Sequence, residues 1–407
     1  MEYGLLGEKL GHSFSPQIHE ALAGYDYRLY PAPPDEVEDL FRRREFKGLN
    51  VTIPYKQTVI PLCDQVDPRA ASIGAVNTVV NRGGKLTGYN TDIDGLIYLA
   101  KRTGVDMAGK KVVVLGSGGT SHTACAAARE LGAKEVVVIS RKGEDNYENI
   151  SRHAGAGVLI NTTPVGMYPN CGNAAVSLDI FPHLTGVLDV VYNPLRTALV
   201  MDAETRGIPC SCGLPMLVAQ AKRAAELFTG EMIPDSRLET VISSLTAQVR
   251  NIVLIGMPGC GKSTVGRNLA RVLGKEFIDV DQVITERAGK PIPEIFAQEG
   301  EEAFRKLESR ITREAGARTG CVISTGGGVV TRNENYAPLH QNGVIVHLVR
   351  DIDLLPKDGR PVSQSTDLHE LWAKRAPLYR KFADLETANN RSIENTVEHI
   401  IKELETL

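Results

Sequence analysis

The chain has 407 residues and a formal net charge of −3, with 42% hydrophobic and 23% charged residues. That length predicts about two to three domains, each able to bury its own core, and the near-neutral balance excludes a strong field for nucleic acid or a membrane surface. No apolar run approaches the roughly 18 residues of a membrane span, and the start Met1-Glu2-Tyr3-Gly4 carries no secretory leader pattern.

Tyr3 to Leu6 reads as a strand and Gly7 to Ser15 as a loop, with Pro16 opening a helix. Ser15 sits where a helix cap belongs. Ser13 has no such structural use, and two hydroxyls beside a helix start suit a small carboxylate. Gly48 to Ile53 is a strand closed by a turn at Pro54, which presents Lys56; ordinarily a lysine there is a solvated charge. Gly74 to Val80 is a second strand, carrying the polar Asn77 among apolar neighbours. Leu86 to Tyr89 leads to Asp92, which opens a helix where its charge suits the dipole. Strand ends that each deliver one polar group are also how small-molecule sites are built.

Lys111 to Leu115 is a continuous apolar run of the parallel-sheet type. It feeds Gly116-Ser117-Gly118-Gly119-Thr120 and a helix to Leu131, a Rossmann arrangement that puts a pyrophosphate at a helix N-terminus. The next strand, Val136 to Ile139, ends in Ser140-Arg141-Lys142, cations that suit the 2′-phosphate of NADP; Glu144 and Asp145 follow and oppose it. Strands at 158–160 and 186–191 end in the polar loops Asn161 to Met167 and Tyr192-Asn193-Pro194. Seven scattered cysteines fit a reducing, cytoplasmic setting. Cys210-Ser211-Cys212 reads as strand packing, because no second Cys or His group accompanies it. Helices over about 216–228 and 236–247 close this half.

In their order, these pieces resemble the shikimate dehydrogenase family over Tyr3 to Ala247. The resemblance is carried by Ser13-Phe14-Ser15-Pro16, Asn50 to Lys56, Gly74 to Thr78, Asn90-Thr91-Asp92, the glycine loop, Asn161 to Met167, and Gly213 to Gln220. It implies that Ser13 and Ser15 hold a substrate carboxylate, that Thr52, Asn77, Tyr192 and Gln220 line the hydroxyl side, and that Lys56 and Asp92 form the catalytic pair. It also implies that Gly116, Ser117, Gly118, Gly119, Thr120, Arg141, Val190 and Gly213 face NADP(H). Hydride delivery to a ketone leaves an alkoxide that needs a proton donor within hydrogen-bond reach, which a lysine ammonium oriented by a carboxylate supplies. Only twenty positions separate Arg141 from Asn161, fewer than the family's usual crossover, so the Rossmann unit reads as trimmed by one element.

Ile252 to Ile255 is a short buried strand, and Gly256 to Ser263 spells G-x-x-x-x-G-K-S. A helix follows to Leu273, with apolar Val265, Leu269, Val272 and Leu273 on its period. Strand, glycine loop and helix together are the phosphate-cradling P-loop. Gly259, Cys260, Gly261 and Thr264 then contact ATP, Lys262 reaches the β/γ-phosphates, and Ser263 holds Mg²⁺. Lys275 to Asp281 reads as a strand with the carboxylates of Asp279 and Asp281 on one face. A helix over 295–311 carries Phe304-Arg305-Lys306. The strand 321–324 precedes Gly326-Gly327-Gly328, a third strand covers 344–348, and Lys374 to Tyr379 lies on or near a helix.

This half resembles shikimate kinase over Asn251 to Leu407. The resemblance implies that Asp279 supports Mg²⁺ and Asp281 binds the substrate hydroxyl and acts as base. Arg305 and Arg375 clamp the carboxylate, Gly327 adds a backbone contact, and Arg360 is the lid arginine on the phosphates. Planar guanidinium forks suit a carboxylate. The lid, 350–365, reads as shorter than usual.

The expected protein is α/β throughout. An N-terminal α/β substrate domain spans 1–105 and is completed by helices of 216–247. A Rossmann-like NADP domain covers 106–215, and a P-loop kinase domain with a parallel sheet covers 250–407. The expected reactions are NADPH-dependent reduction of 3-dehydroshikimate to shikimate and its ATP-dependent phosphorylation. Quinate or NAD on one side, another polyol acid on the other, and a non-catalytic sensor in either half are the alternatives. Lys56, Asp92, Lys262, Ser263 and Asp281 oppose the sensor, since a binder needs neither proton donor nor base. Neither nucleic acid nor membrane is an expected partner, and the oligomeric state stays open.

Overall fold

The computed structural model describes residues 2–11, 13–355 and 367–406. Among them the chain forms two compact units. One comprises Met1–Met167, Asn173–Tyr192 and Leu199–Leu245, the other Tyr168–Gly172, Asn193–Ala198 and Thr246–Leu407.

The first unit holds two sheets. Strands β1 (Tyr3–Gly7), β2 (Tyr27–Pro31), β3 (Gly48–Val51), β4 (Gln65–Val66), β5 (Thr78–Arg82) and β6 (Lys85–Tyr89) form a six-stranded mixed sheet of order β2-β1-β3-β5-β6-β4. Strands β7 (Lys111–Leu115), β8 (Glu135–Ile139), β9 (Val158–Asn161), β10 (Gly186–Asp189) and β11 (Cys210–Ser211) form a parallel sheet of order β11-β10-β9-β7-β8. Successive side chains of a strand point to opposite faces. Val112 and Val114 of β7 accordingly enter one core with helices Asp92–Thr103 and Gly119–Glu130. Val113 and Leu115 enter another. Burial on both faces is why this strand reads as an uninterrupted apolar run.

Two features of this unit differ from the sequence reading. The strand expected over 74–80 begins only at Thr78, because Pro68–Ile73 is a helix whose start is capped by Asp67, its carboxylate accepting from Arg69 N at 2.9 Å. Ser15 lies inside the helix Ser15–Ala23 rather than capping it; Phe14 holds the cap position. The trimmed connection is present. Between β8 and β9 there is a 3₁₀ turn, Ile150–His153, and no α-helix. Ile150 of that turn shares its core with Leu178 and Phe181, which lie in and directly after a second 3₁₀ turn between β9 and β10.

In the second unit β12 (Asn251–Ile255), β13 (Glu276–Asp279), β14 (Cys321–Ser324), β15 (Gly343–Val349) and β16 (Leu385–Ala388) form a parallel sheet of order β13-β14-β12-β15-β16. The first strand of the chain segment is central. Its carboxyl end is a topological switch point, the place where open α/β sheets bind ligands. Helix Lys262–Leu273 follows the glycine loop directly.

Two expectations are corrected here. Asp281 is not on a strand: β13 stops at Asp279, and Asp281 stands in the first turn of helix Val280–Ala288. The cause is capping, since Asp279 Oδ1 accepts from the N–H groups of Asp281 (3.1 Å) and Gln282 (3.3 Å). The helix expected over 295–311 runs Ile292–Gly316 and is broken at Gly300, with φ 81° and ψ 168°. Arg360 and most of the expected lid lie outside the described residues. No helix among those described is long and apolar enough to cross a membrane.

Candidate active sites

In the first unit, the turn after β3 is pinned by Tyr55, which is 2% exposed and whose hydroxyl donates to Ala32 O at 2.7 Å. The next residue, Lys56, is thereby presented at a fixed point. Across from it, Asn90 Oδ1 accepts from Asp92 N at 3.1 Å and sets the start of helix Asp92–Thr103. Lys56 Nζ and Asp92 Oδ2 meet at 2.5 Å, both side chains mostly shielded from solvent. A charge-assisted contact of this length is stronger than a neutral hydrogen bond and directional.

The pair lines a cavity of about 280 Å³. Ser13, Ser15, Thr52, Asn77, Tyr192 and Gln220 line it too. Ser13 Oγ donates to Ser15 Oγ at 3.2 Å. Asn77 Oδ1 accepts from Thr91 N at 2.7 Å and from Thr78 Oγ1 at 3.0 Å. Its carbonyl is therefore occupied, and what Asn77 offers the cavity is an N–H. Gln220 Nε2 donates to Leu217 O at 2.8 Å, which fixes that amide as well. Burial pushes the Tyr192 phenol up from its ordinary value.

Thr120, Val190 and Gly213 reach the same cavity. The rest of the glycine loop and Arg141 do not line it. Gly118 holds the cap position of helix Gly119–Glu130 with no side-chain cap, so the first N–H groups of that helix lack a partner within it, as a pyrophosphate site requires. Ser117, Gly118, Gly119 and Arg141 are exposed. Asn50, to which the sequence reading assigns no role, also lines the cavity: its Oδ1 accepts from Tyr27 OH at 2.7 Å, and its Nδ2 donates to Thr78 Oγ1 at 2.9 Å. The signal was the one Asn77 gave, a polar residue in a strand buried throughout.

In the second unit, a cavity of about 530 Å³ opens at the carboxyl end of β12. Gly259, Gly261, Lys262, Ser263 and Thr264 line one side, and Asp281, Arg305, Gly327 and Arg375 the other. Cys260 is fully buried and is not among the lining residues. Lys262 is 7% exposed, and its ammonium donates to Gly256 O at 2.9 Å and Met257 O at 3.0 Å. Ser263 Oγ lies 3.4 Å from Ser324 Oγ on β14, and Ser324 is the register partner of Asp279 on β13. Hydroxyl and carboxylate oxygens are the hard donors that Mg²⁺ takes, usually with several waters, and the Ser263 hydroxyl beside the phosphate loop is one of them. Asp279 itself does not line the cavity.

Asp281 is held well above the usual carboxylate range, at about 6. Burial is the main cause; Lys262 opposes it, and the nearby Glu308 adds to it. Arg305 is 6% exposed and is gripped by Glu308, Nη1 to Oε2 at 2.7 Å, and by Glu301 at 3.2 Å. Arg375 Nη1 donates to Gly327 O at 3.0 Å, and Tyr379 OH donates to the same carbonyl at 2.5 Å. The glycine triplet is packed too closely for side chains. A Cβ on Gly326 would stand 2.5 Å from Glu308 Oε1 and 2.8 Å from Asp281 Oδ1; one on Gly328 would stand 2.2 Å from Arg305 Nη1. Glu308 is not named in the sequence reading, and Tyr379 enters it only as the end of a helical stretch, with no role. Glu308 lies three residues beyond Arg305 on one helix face, and that spacing was the available signal.

Comparison with known proteins matches these two halves. The family profile described as "Shikimate dehydrogenase substrate binding domain" fits residues 5–79, and the one described as "Shikimate kinase" fits residues 258–405. The "Shikimate dehydrogenase (NADP(+))" of Clostridium perfringens is 35% identical over 264 residues, covering 60% of this chain and 97% of that protein. A chorismate mutase/shikimate 5-dehydrogenase fusion protein from Clostridium acetobutylicum superimposes with a TM-score of 0.57 and 32% identity, over 60% of this chain and 96% of that one. The shikimate 5-dehydrogenase of Thermus thermophilus, solved with NADP(H) and shikimate, gives a TM-score of 0.55 and 31% identity, over 60% and 99%.

Proposed function

The chain belongs to the shikimate dehydrogenase family over its first three-fifths and carries a shikimate kinase domain after it, and from that premise we propose how its residues divide the work. It is a bifunctional enzyme of the shikimate pathway, an NADP-dependent oxidoreductase and an ATP-dependent phosphotransferase. The first activity reduces 3-dehydroshikimate to shikimate; the second phosphorylates the 3-hydroxyl of shikimate. We assign the reduction to the domains 1–105 and 106–215 with the helices of 216–247, and the phosphorylation to 250–407. We place the enzyme in the cytoplasm, in accord with seven free cysteines.

Ser13 and Ser15 take the ring carboxylate, and Asn77 and Gln220 direct N–H groups at ring hydroxyls. NADPH supplies the hydride. Lys56 gives a proton to the oxygen as the carbonyl becomes an alcohol, and Asp92 keeps the ammonium aimed at that oxygen and offsets its charge. In the kinase, Arg305 and Arg375 hold the carboxylate of shikimate, and Asp281 accepts the proton of the attacking hydroxyl. Mg²⁺, held by Ser263 and through Asp279, would neutralise charge on the phosphates, beside Lys262.

The observation that carries the assignment is the 2.5 Å Lys56–Asp92 contact inside a cavity shared by the hydroxyl and amide residues. The test is an assay from 3-dehydroshikimate with NADPH, ATP and Mg²⁺, each omitted in turn, on the native chain and two variants. Lys56→Ala should lower NADPH oxidation by about 10²-fold or more and leave phosphorylation of added shikimate intact. Lys262→Ala should do the converse. Full oxidation by the first variant, or full phosphorylation by the second, would refute the corresponding role.

A further inference from the structure

One buried side-chain amide outside both cavities is aimed at the phosphate loop. Asn389 follows β16, is 6% exposed, and extends the ladder by donating its main-chain N–H to Val349 O at 2.7 Å. Its Nδ2 donates to Cys260 O at 2.7 Å. Its Oδ1 accepts from Thr396 Oγ1 at 2.9 Å. A main-chain carbonyl only accepts, so the amide has one orientation. Thr396 is 2% exposed, in the first turn of helix Ile393–Leu404; its oxygen also lies 3.2 Å from Ser392 O.

The Cys260–Gly261 peptide is planar and trans, so its C=O and N–H point in opposite directions. Holding Cys260 O toward Asn389 turns the Gly261 N–H away from Asn389, and Gly261 is itself one of the residues that line the cavity. Gly261 has a φ of 101°, and a Cβ there would stand 2.5 Å from Asn389 Nδ2. Glycine at this position thus serves the left-handed backbone and the closeness of the amide at once.

We propose that Asn389 is a positioning residue of the phosphate loop: through the Cys260 carbonyl it sets the direction in which the Gly261 N–H meets a nucleotide phosphate. This rests on reading the loop as the ATP site. Asn389→Asp keeps the shape and the acceptor for Thr396 but replaces the donor facing Cys260 O by a second acceptor. In the full-length chain it should raise the KM for ATP about tenfold, as loss of one buried hydrogen bond with an acceptor left facing it implies. The KM for shikimate and the dehydrogenase rate should not change. Thr396→Val, which removes only the orienting hydroxyl, should raise the same constant by a smaller factor. An unchanged ATP KM in either folded variant overturns the proposal. So does an equal rise in both KM values with a lowered melting temperature, which is what a purely structural role would give. Native enzyme without ATP-dependent phosphorylation would remove the ATP-site reading, and the proposal with it, before any variant is made.

Discussion

Asp281 carries an opposition that a single measurement exposes. Burial holds its carboxyl at about 6 in the folded chain against an ordinary 3.8. A base must be ionised to accept a proton, so kcat/KM for phosphorylation should fall as pH drops through about 6, while a site with an ordinary aspartate would hold its rate to about pH 4. A pH profile without that acid limb would exclude Asp281 as the base. Stability runs the other way. A carboxyl raised by folding favours the folded state below the unfolded value near 4, and that contribution is lost as pH rises through about 6. Asp281→Asn should therefore abolish phosphorylation yet stabilise the kinase unit at pH 8, by on the order of 2–3 kcal/mol, with the gain shrinking at pH 5. Thermal unfolding at the two pH values checks it. Asp281 was visible in the sequence because it and Asp279 alternate with the apolar Ile278 and Val280. Glu308, which helps to raise it, was not, since a glutamate on a charged helix face looks solvated until the fold shows it fully buried.

At the scale of elements, strand identity was legible and strand ends were not. Val112–Leu115 and Ile252–Ile255 read as buried strands because both faces of each are covered, and uninterrupted apolar residues are the mark of that. Asp279-Val280-Asp281 alternates as a strand would, but a carboxylate accepting two main-chain N–H groups starts a helix instead. Alternation and capping use the same residue types, and only the partners tell them apart. Asp279 consequently has two uses to separate. Asn caps about as well as Asp, so Asp279→Asn should leave the melting temperature of the kinase unit within about 1 °C and raise the Mg²⁺ concentration for half activity several-fold. Asp279→Ala should lose both, the cap being worth about 1 kcal/mol. If Asp279→Asn shows native Mg²⁺ dependence, the residue is a cap and nothing more.

On the scale of the whole molecule, the second unit draws on chain far upstream of its sheet. Leu195 N donates to Asn342 Oδ1 at 2.9 Å and Arg196 N to Gln341 O at 2.8 Å. The Arg196 guanidinium donates to His340 O and Gly343 O, both at 3.1 Å. These bonds tie down the entrance to β15, and nothing in the pattern Asn193-Pro194-Leu195-Arg196 announces them, because long-range hydrogen bonds leave no periodicity. A fragment of residues 246–407 lacks them. At about 1 kcal/mol each it should melt several degrees below the same unit in the full chain, a difference calorimetry would read. Equal melting temperatures would show that these bonds contribute no net stability.

The Lys262 ammonium, resting on Gly256 O and Met257 O, is satisfied by the phosphate loop's own backbone. A cation sealed from water with nothing to grip would destabilise the fold; the loop's own oxygens prevent that. An arriving triphosphate must then win the ammonium away from two dipoles already satisfied, and what it gains is a difference rather than the full attraction. The same arrangement works in reverse when the spent nucleotide departs. The charge has somewhere to return to, so turnover need never pass through a state in which it is stranded.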